Sequence, residues 1–124
     1  MKSVSFTGLS PAVAALLIAT PIMIAGGQVL FKMTSERLLA RGDAAFASVM
    51  FDPVFIAALA LYGGATLLWI FVLKSVPLSF AYSFMALTFV IVPLLAAVFL
   101  KETIGLRYMI GSALIMAGLI VVQN

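Results

Sequence analysis

The sequence predicts an all-α membrane protein of four transmembrane helices, and three observations carry that prediction. Four apolar runs of about twenty residues follow one another, at about 11–31, 53–73, 77–100 and 104–122. A helix rises about 1.5 Å per residue and the hydrocarbon core is about 30 Å thick, so each run is long enough to cross. Hydrophobic residues make up 65% of the chain and charged residues 9%, with a mean hydropathy of +1.30. A water-soluble domain carries about a quarter charged residues, so this chain needs the bilayer as its solvent.

Its 124 residues are read as one four-helix domain, 1–124. With no cysteine and no histidine, disulfides, thiolate metal sites and the commonest general base are absent. No metal or cofactor is expected. The net charge of +3 reads as membrane topology, not nucleic-acid binding.

The first span, Pro11 to Phe31, has no charged residue. Lys2 ahead of an apolar run also fits a secretory signal peptide, but the run is long and three more follow, so a retained helix is expected. Pro11 suits its first turn. The stretch from Lys32 to Asp52 holds Lys32, Glu36, Arg37, Arg41 and Asp43 and reads as a loop, carrying at most a short interfacial helix around Ala44 to Met50. Asp52 and Pro53 form a helix start, as N-cap and first helical residue. The second span ends at Leu73, Lys74 and Ser75 turn the chain, Pro77 opens the third span, and Lys101 to Thr103 close it. The loops after spans one and three hold Lys32, Arg37, Arg41, Lys101 and Arg107, against Lys2 and Lys74 on the other side. The excess of basic residues places those two loops in the cytoplasm and both termini outside.

No enzyme constellation is present: no carboxylate pair in a span, no nucleophile beside a base, no glycine-rich phosphate loop. The chain therefore reads as a non-enzyme. Polar residues in a bilayer are costly and mark function by default. Gln28 and Lys32 lie one turn apart on one face of span one. They form either an anion-binding stripe or an amide bonded between helices beside a snorkelling topology lysine. Ser79 and Tyr82 share a face of span three with Ala86 and Phe89, as a substrate-facing wall or as ordinary packing. Glu102 either pairs with Lys32 or Arg107, gates a site, or caps a solvated helix end. Asp52 reads as a cap, and Trp69 as part of an interfacial belt or of helix packing. In span four, Gly111, Ala113, Ala117 and Gly118 permit close helix approach.

Several of these residues also form motifs. Val76-Pro77-Leu78-Ser79-Phe80-Ala81-Tyr82 resembles the opening of helix three in small multidrug resistance proteins. Phe99-Leu100-Lys101-Glu102-Thr103, Leu106, Gly111 and Ala117-Gly118 resemble the last two helices of an EamA-type unit of the drug/metabolite transporter superfamily. Gly27-Gln28 with Lys32, and Leu68 to Leu73 before Lys74-Ser75-Val76-Pro77, resemble the four-helix subunits of the 4-amino-4-deoxyarabinose-phosphoundecaprenol flippase. The resemblance runs from about Ala25 to Val122. One departure discriminates among these relatives. The multidrug exporters carry a buried glutamate eight residues before the lysine matching Lys32; here that position is Ile24. Proton-coupled export of a lipophilic cation needs such an anion.

The resemblance implies a small multidrug resistance-like bundle in the bacterial inner membrane. It implies a flippase for a polyprenyl-phosphate-linked sugar or similar anionic lipid, and the polar residues singled out above, Gln28, Lys32, Ser79, Tyr82 and Glu102, are the candidates to bind that substrate. Four short helices make a wall, not an enclosed path, so a homo- or heterodimer with a similar four-helix subunit is expected. The alternatives are an exporter of small metabolites or drugs and a non-transporting subunit of a larger complex.

Overall fold

The computed structural model describes residues 8–42 and 46–123. Lys2, Asp43, Ala44 and Asn124 lie outside the described residues. Those described form helices α1 (Pro11–Arg41), α2 (Phe46–Met50), α3 (Pro53–Leu73), α4 (Leu78–Ser83), a 3-10 turn (Phe84–Leu87), α5 (Thr88–Phe99) and α6 (Leu106–Gln123). Four stretches among them are long and apolar enough to cross a membrane: Pro11–Arg41, Pro53–Leu73, Leu78–Phe99 and Leu106–Gln123. The protein is a multi-pass, all-α membrane protein.

α1 begins as its sequence dictates: Ser10 accepts the Val13 N–H at 3.3 Å, and Pro11 occupies the first helical position. Its far end corrects the loop expected after Phe31. Residues 32–41 continue the helix, giving 31 residues and a rod of about 46 Å. Hydropathy marks where the bilayer ends, not where the helix ends. From Lys32 to Arg41 there is no glycine or proline, and several good helix formers propagate the helix. Gly42 ends it in the left-handed conformation, with φ at 65°.

This extension explains Asp52. Its carboxylate caps α3, accepting the Val54 N–H at 2.9 Å. It also lies 3.2 Å from Arg41 Nη2 and 3.5 Å from Arg37 Nε, with its own side chain fully buried. Arg37 and Arg41 are one turn apart and share a face only because this stretch is helical. Asp52 is thus the clamp that ties the charged end of α1 to the start of α3 as well as a cap.

The third span is wound in two pieces. Ser83 Oγ donates to the Phe80 carbonyl and Thr88 Oγ1 to the Met85 carbonyl, each at 2.6 Å, on either side of the 3-10 turn. Hydroxyls that bond carbonyls three residues back perturb regular winding. At the end of α5, Lys101 takes a left-handed φ of 57°. The Glu102 N–H then reaches back to the Ala96 carbonyl at 3.2 Å, a closure usually made by glycine. Lys74 and Lys101 consequently fall at opposite ends of the third span.

α1 is the central helix, packed along α3 and against α5, while α6 rests on α4, the 3-10 turn and α5. Leu17, Val72, Val76, Phe80, Ala81 and Phe84 form the buried core near the α3–α4 turn. Only 6% of the most apolar window of α6 is buried, so most of that helix is left to lipid or to another chain.

Candidate functional site

The site is built outward from Gly27. A Cβ there would lie 2.6 Å from Tyr62 Cδ2, so only glycine lets the Tyr62 ring lie directly on the α1 backbone. Phe31 packs against that ring in a tilted arrangement with centroids 5.3 Å apart, and Phe55 packs likewise against Phe31 at 6.0 Å. Thus fixed, the Tyr62 hydroxyl accepts a hydrogen bond from Gln28 Nε2. This supplies the partner that an amide inside a bilayer requires.

Three neighbouring cavities that share lining residues run along the face of α1 toward the third span. The largest, about 350 Å³, is lined by Ile24, Tyr62, Thr66, Trp69, Tyr82 and Thr88 among others. Ile24 and Thr88 continue into a second of about 270 Å³, which includes Gln28, Val92 and Tyr108. Gln28 and Val92 continue into a third of about 240 Å³, bounded by Lys32, Ala96, Leu100 and Glu102. From Ile24 to Lys32 the groove follows about 12 Å of helix. Its deep end is aromatic and uncharged. Its other end carries Lys32 on α1 and Glu102 beyond α5.

The structure therefore brings Gln28, Lys32 and Glu102 into one cavity. Tyr82 lies at the far end of the same groove, linked to Gln28 through Tyr62. Ser79 is exposed in the first turn of α4 and lines none of these cavities. The winding change between Ser83 and Thr88 interrupts the face that Ser79 and Tyr82 were expected to extend to Ala86 and Phe89. Lys32 and Glu102 make no ion pair among the described residues, whereas Arg37 and Arg41 are held by Asp52. Sequence reasoning passed over Tyr62, Thr66 and Thr88. Each was visible as a hydroxyl within an apolar span, the same cost argument that singled out Gln28. Trp69 lines the largest cavity.

A separate apolar groove of about 330 Å³ lies between α5 and α6, over Pro93, Tyr108, Ser112 and Met116. Ala113 lines it, whereas Gly111 and Gly118 have open space around them. The small residues of α6 therefore do not form a single surface. No group of three or more metal-ligating side chains is present among the described residues.

The sequence pattern of the EamA-like transporter family matches residues 1–123. The chain is similar to the probable 4-amino-4-deoxy-L-arabinose-phosphoundecaprenol flippase subunit ArnE of Pseudomonas aeruginosa (strain UCBPP-PA14), at 39% identity over 109 residues, which cover 86% of this chain and 93% of that protein. The protein of the same description from Salmonella newport (strain SL254) is 30% identical over 109 residues, covering 88% of this chain and 95% of that protein. That of Enterobacter sp. (strain 638) is 44% identical over 63 residues, covering 51% of this chain and 59% of that protein. No solved structure matches the chain. A match across nearly the whole sequence, in a bundle of four spanning helices, shows that the chain belongs to the EamA-like transporter family.

Proposed function

We propose that this protein is a flippase subunit that moves a polyprenyl-phosphate-linked sugar, or a similar anionic lipid, across the bacterial inner membrane. The observation that carries this reading is the groove's charge. Its membrane-buried part holds no carboxylate, Ile24 standing where a proton-coupled cation exporter needs one, while Lys32 stands unpaired at its mouth. An ammonium there holds a phosphate through charge-assisted hydrogen bonds worth about 1.5–3 kcal/mol. Gln28 and Tyr62 offer the next polar contacts, and the polyprenyl chain stays in lipid. The curated relatives, described as flippase subunits for such a lipid, support the same substrate class. The four helices act as one domain and transport without chemistry on the substrate. A second four-helix subunit, identical or similar, closes the side of the groove that one chain leaves open.

A second reading rests on the aromatic end of the groove. Tyr62, Trp69 and Tyr82 around about 350 Å³ would also suit a small organic cation, as in an exporter of metabolites or drugs. One titration separates the two. Trp69 is the only tryptophan and lines the groove, so its fluorescence reports occupancy. A short-chain polyprenyl-phosphate sugar should change that fluorescence saturably in detergent, and a quaternary ammonium compound should not. Saturable binding of the cation alone would replace the flippase reading with the exporter.

A further inference from the structure

The cavity at Lys32 shares Val92, Ala96 and Glu102 with a further cavity of about 240 Å³, which follows the α5–α6 connection through Ile104 and Gly105 to Tyr108. That cavity in turn shares Pro93, Ile104 and Tyr108 with the apolar groove of about 330 Å³ between α5 and α6. Gly105 keeps the passage wide, since a Cβ there would meet nothing within 4 Å. The two hydroxyls in the groove, Tyr108 Oη and Ser112 Oγ, both donate to the Phe89 carbonyl at 3.1 Å. The groove therefore offers a polar ligand no free hydroxyl donor. Around them Pro93, Met109, Ala113 and Met116 present hydrocarbon and thioether surface. From Tyr108 to Met116 the groove follows about 12 Å of α6. That carries it from the Lys32 end toward the middle of a core about 30 Å thick.

We infer that the α5–α6 groove is a slot for the hydrocarbon chain of the lipid whose phosphate lies at Lys32. The isoprene units next to the phosphate leave the polar cavity past Gly105 and lie between α5 and α6, and the rest of the chain runs on in the bilayer. This rests on the reading of the Lys32 cavity as a lipid-phosphate site and adds a second subsite to it. A free acyl chain gains little by entering, because lipid is as apolar as the groove. A chain whose phosphate is already held at Lys32 is tethered beside the passage, so filling the groove is an intramolecular step. A second subunit is the other candidate occupant, and the glycines of α6 argue against it. The α6 residues of the groove are centred about 140° around the helix from the face of Gly111 and Gly118, so a partner docked on the glycines leaves the groove open.

The test uses the full chain in mild detergent and a short polyprenyl phosphate with a diazirine on an isoprene unit near the phosphate. Trp69 fluorescence reports binding at the phosphate end, and peptide mass spectrometry maps the photolabel. Labelling should concentrate on Met109, Ala113 and Met116 over Leu67 and Ile70, exposed apolar residues of α3, and unlabelled polyprenyl phosphate should compete it away. Ala113 is exposed, so Ala113→Phe fills the groove without disturbing buried packing. It should lower labelling of α6 about tenfold, the scale of an overpacking penalty, while the saturable Trp69 response persists. If Ala113→Phe fails to insert, Gly105→Leu, which narrows the passage, should give the same loss. Labelling spread evenly over α3 and α6, with saturable binding by Trp69, overturns the inference and leaves the flippase reading standing. So does a diazirine-bearing phosphatidylglycerol that labels the groove equally and is not displaced by polyprenyl phosphate, which would make the occupant a bulk acyl chain. Labelling present in monomer and absent from dimer would assign the groove to a second subunit and also overturn it. Absence of any saturable Trp69 response to polyprenyl phosphate overturns both readings.

Discussion

Pro93 leaves the carbonyl of Phe89 without its helical donor, because the N–H one turn along the chain is missing. Two hydroxyls of α6 take its place: Tyr108 Oη and Ser112 Oγ each donate to that carbonyl at 3.1 Å. In hydrocarbon an unpaired carbonyl is costly, so a proline inside a membrane helix is tolerated where a neighbour supplies donors. The defect in α5 is thereby the attachment point for α6, a helix otherwise largely exposed. Removing either hydroxyl alone, by Tyr108→Phe or Ser112→Ala, should lower stability by about 0.5–1 kcal/mol, since the other remains. The double variant should cost about 1–3 kcal/mol, because it orphans the carbonyl. Adding Pro93→Ala restores the helical N–H and should recover part of that loss. Thermal unfolding in detergent of the single, double and triple variants measures the coupling.

The clamp at Asp52 separates capping from ion pairing. Asp52→Asn keeps an N-cap oxygen but gives up the charge shared by Arg37 and Arg41, whereas Asp52→Ala loses both. Loss of an N-cap costs about 0.5–2 kcal/mol, so Asn should fall between wild type and Ala on a denaturation scale. Asn and Ala variants of equal stability would mean that the ion pairs carry the whole effect.

Legibility in the sequence divides along physical lines. Hydropathy located the spans: the second, third and fourth apolar runs coincide with spanning helices to within a few residues, and the first shares its start, Pro11. The extension from Lys32 to Arg41 was not readable that way, because helix propagation and bilayer thickness are set by different forces. The clamp between Asp52 and the two arginines was hidden with it, since a loop would not align Arg37 with Arg41. In the site, Gln28, Lys32 and Glu102 stood out as polar groups at membrane depth. Tyr62 carried the same signal as a hydroxyl within an apolar span, but its seat against Gly27 is a pairwise fact that one span's pattern does not contain. Ser79 and Tyr82 do share a turn of α4, but the 3-10 turn at Phe84–Leu87 broke the face that was expected to carry them on to Ala86 and Phe89.

Assembly gives a further prediction. Gly111 and Gly118 have open space around them and, seven residues apart, share a face of α6. Ala113 belongs instead to the α5–α6 groove. If α6 meets a second subunit through the glycine face, Gly111→Leu and Gly118→Leu should weaken association in detergent and in lipid. Ala113→Leu should affect it less. Association that responds equally to all three would place the contact elsewhere.

Lys32 and Arg37 both stood at the charged end of α1, yet they are not equivalent. Arg37 lies about 7.5 Å further along the helix axis and is held by Asp52, so its replacement disturbs the clamp. Arg107 is the better control for charge: it is exposed, lines none of the cavities, and has no ion pair among the described residues. The most direct measurement is therefore polyprenyl-phosphate binding by Lys32→Gln and Arg107→Gln, each confirmed to insert normally. Affinity about ten- to a hundredfold weaker for Lys32→Gln, with Arg107→Gln close to wild type, is the expected result. Equal affinity for the two variants would contradict the account, making Lys32 a membrane anchor and leaving the phosphate to be held elsewhere.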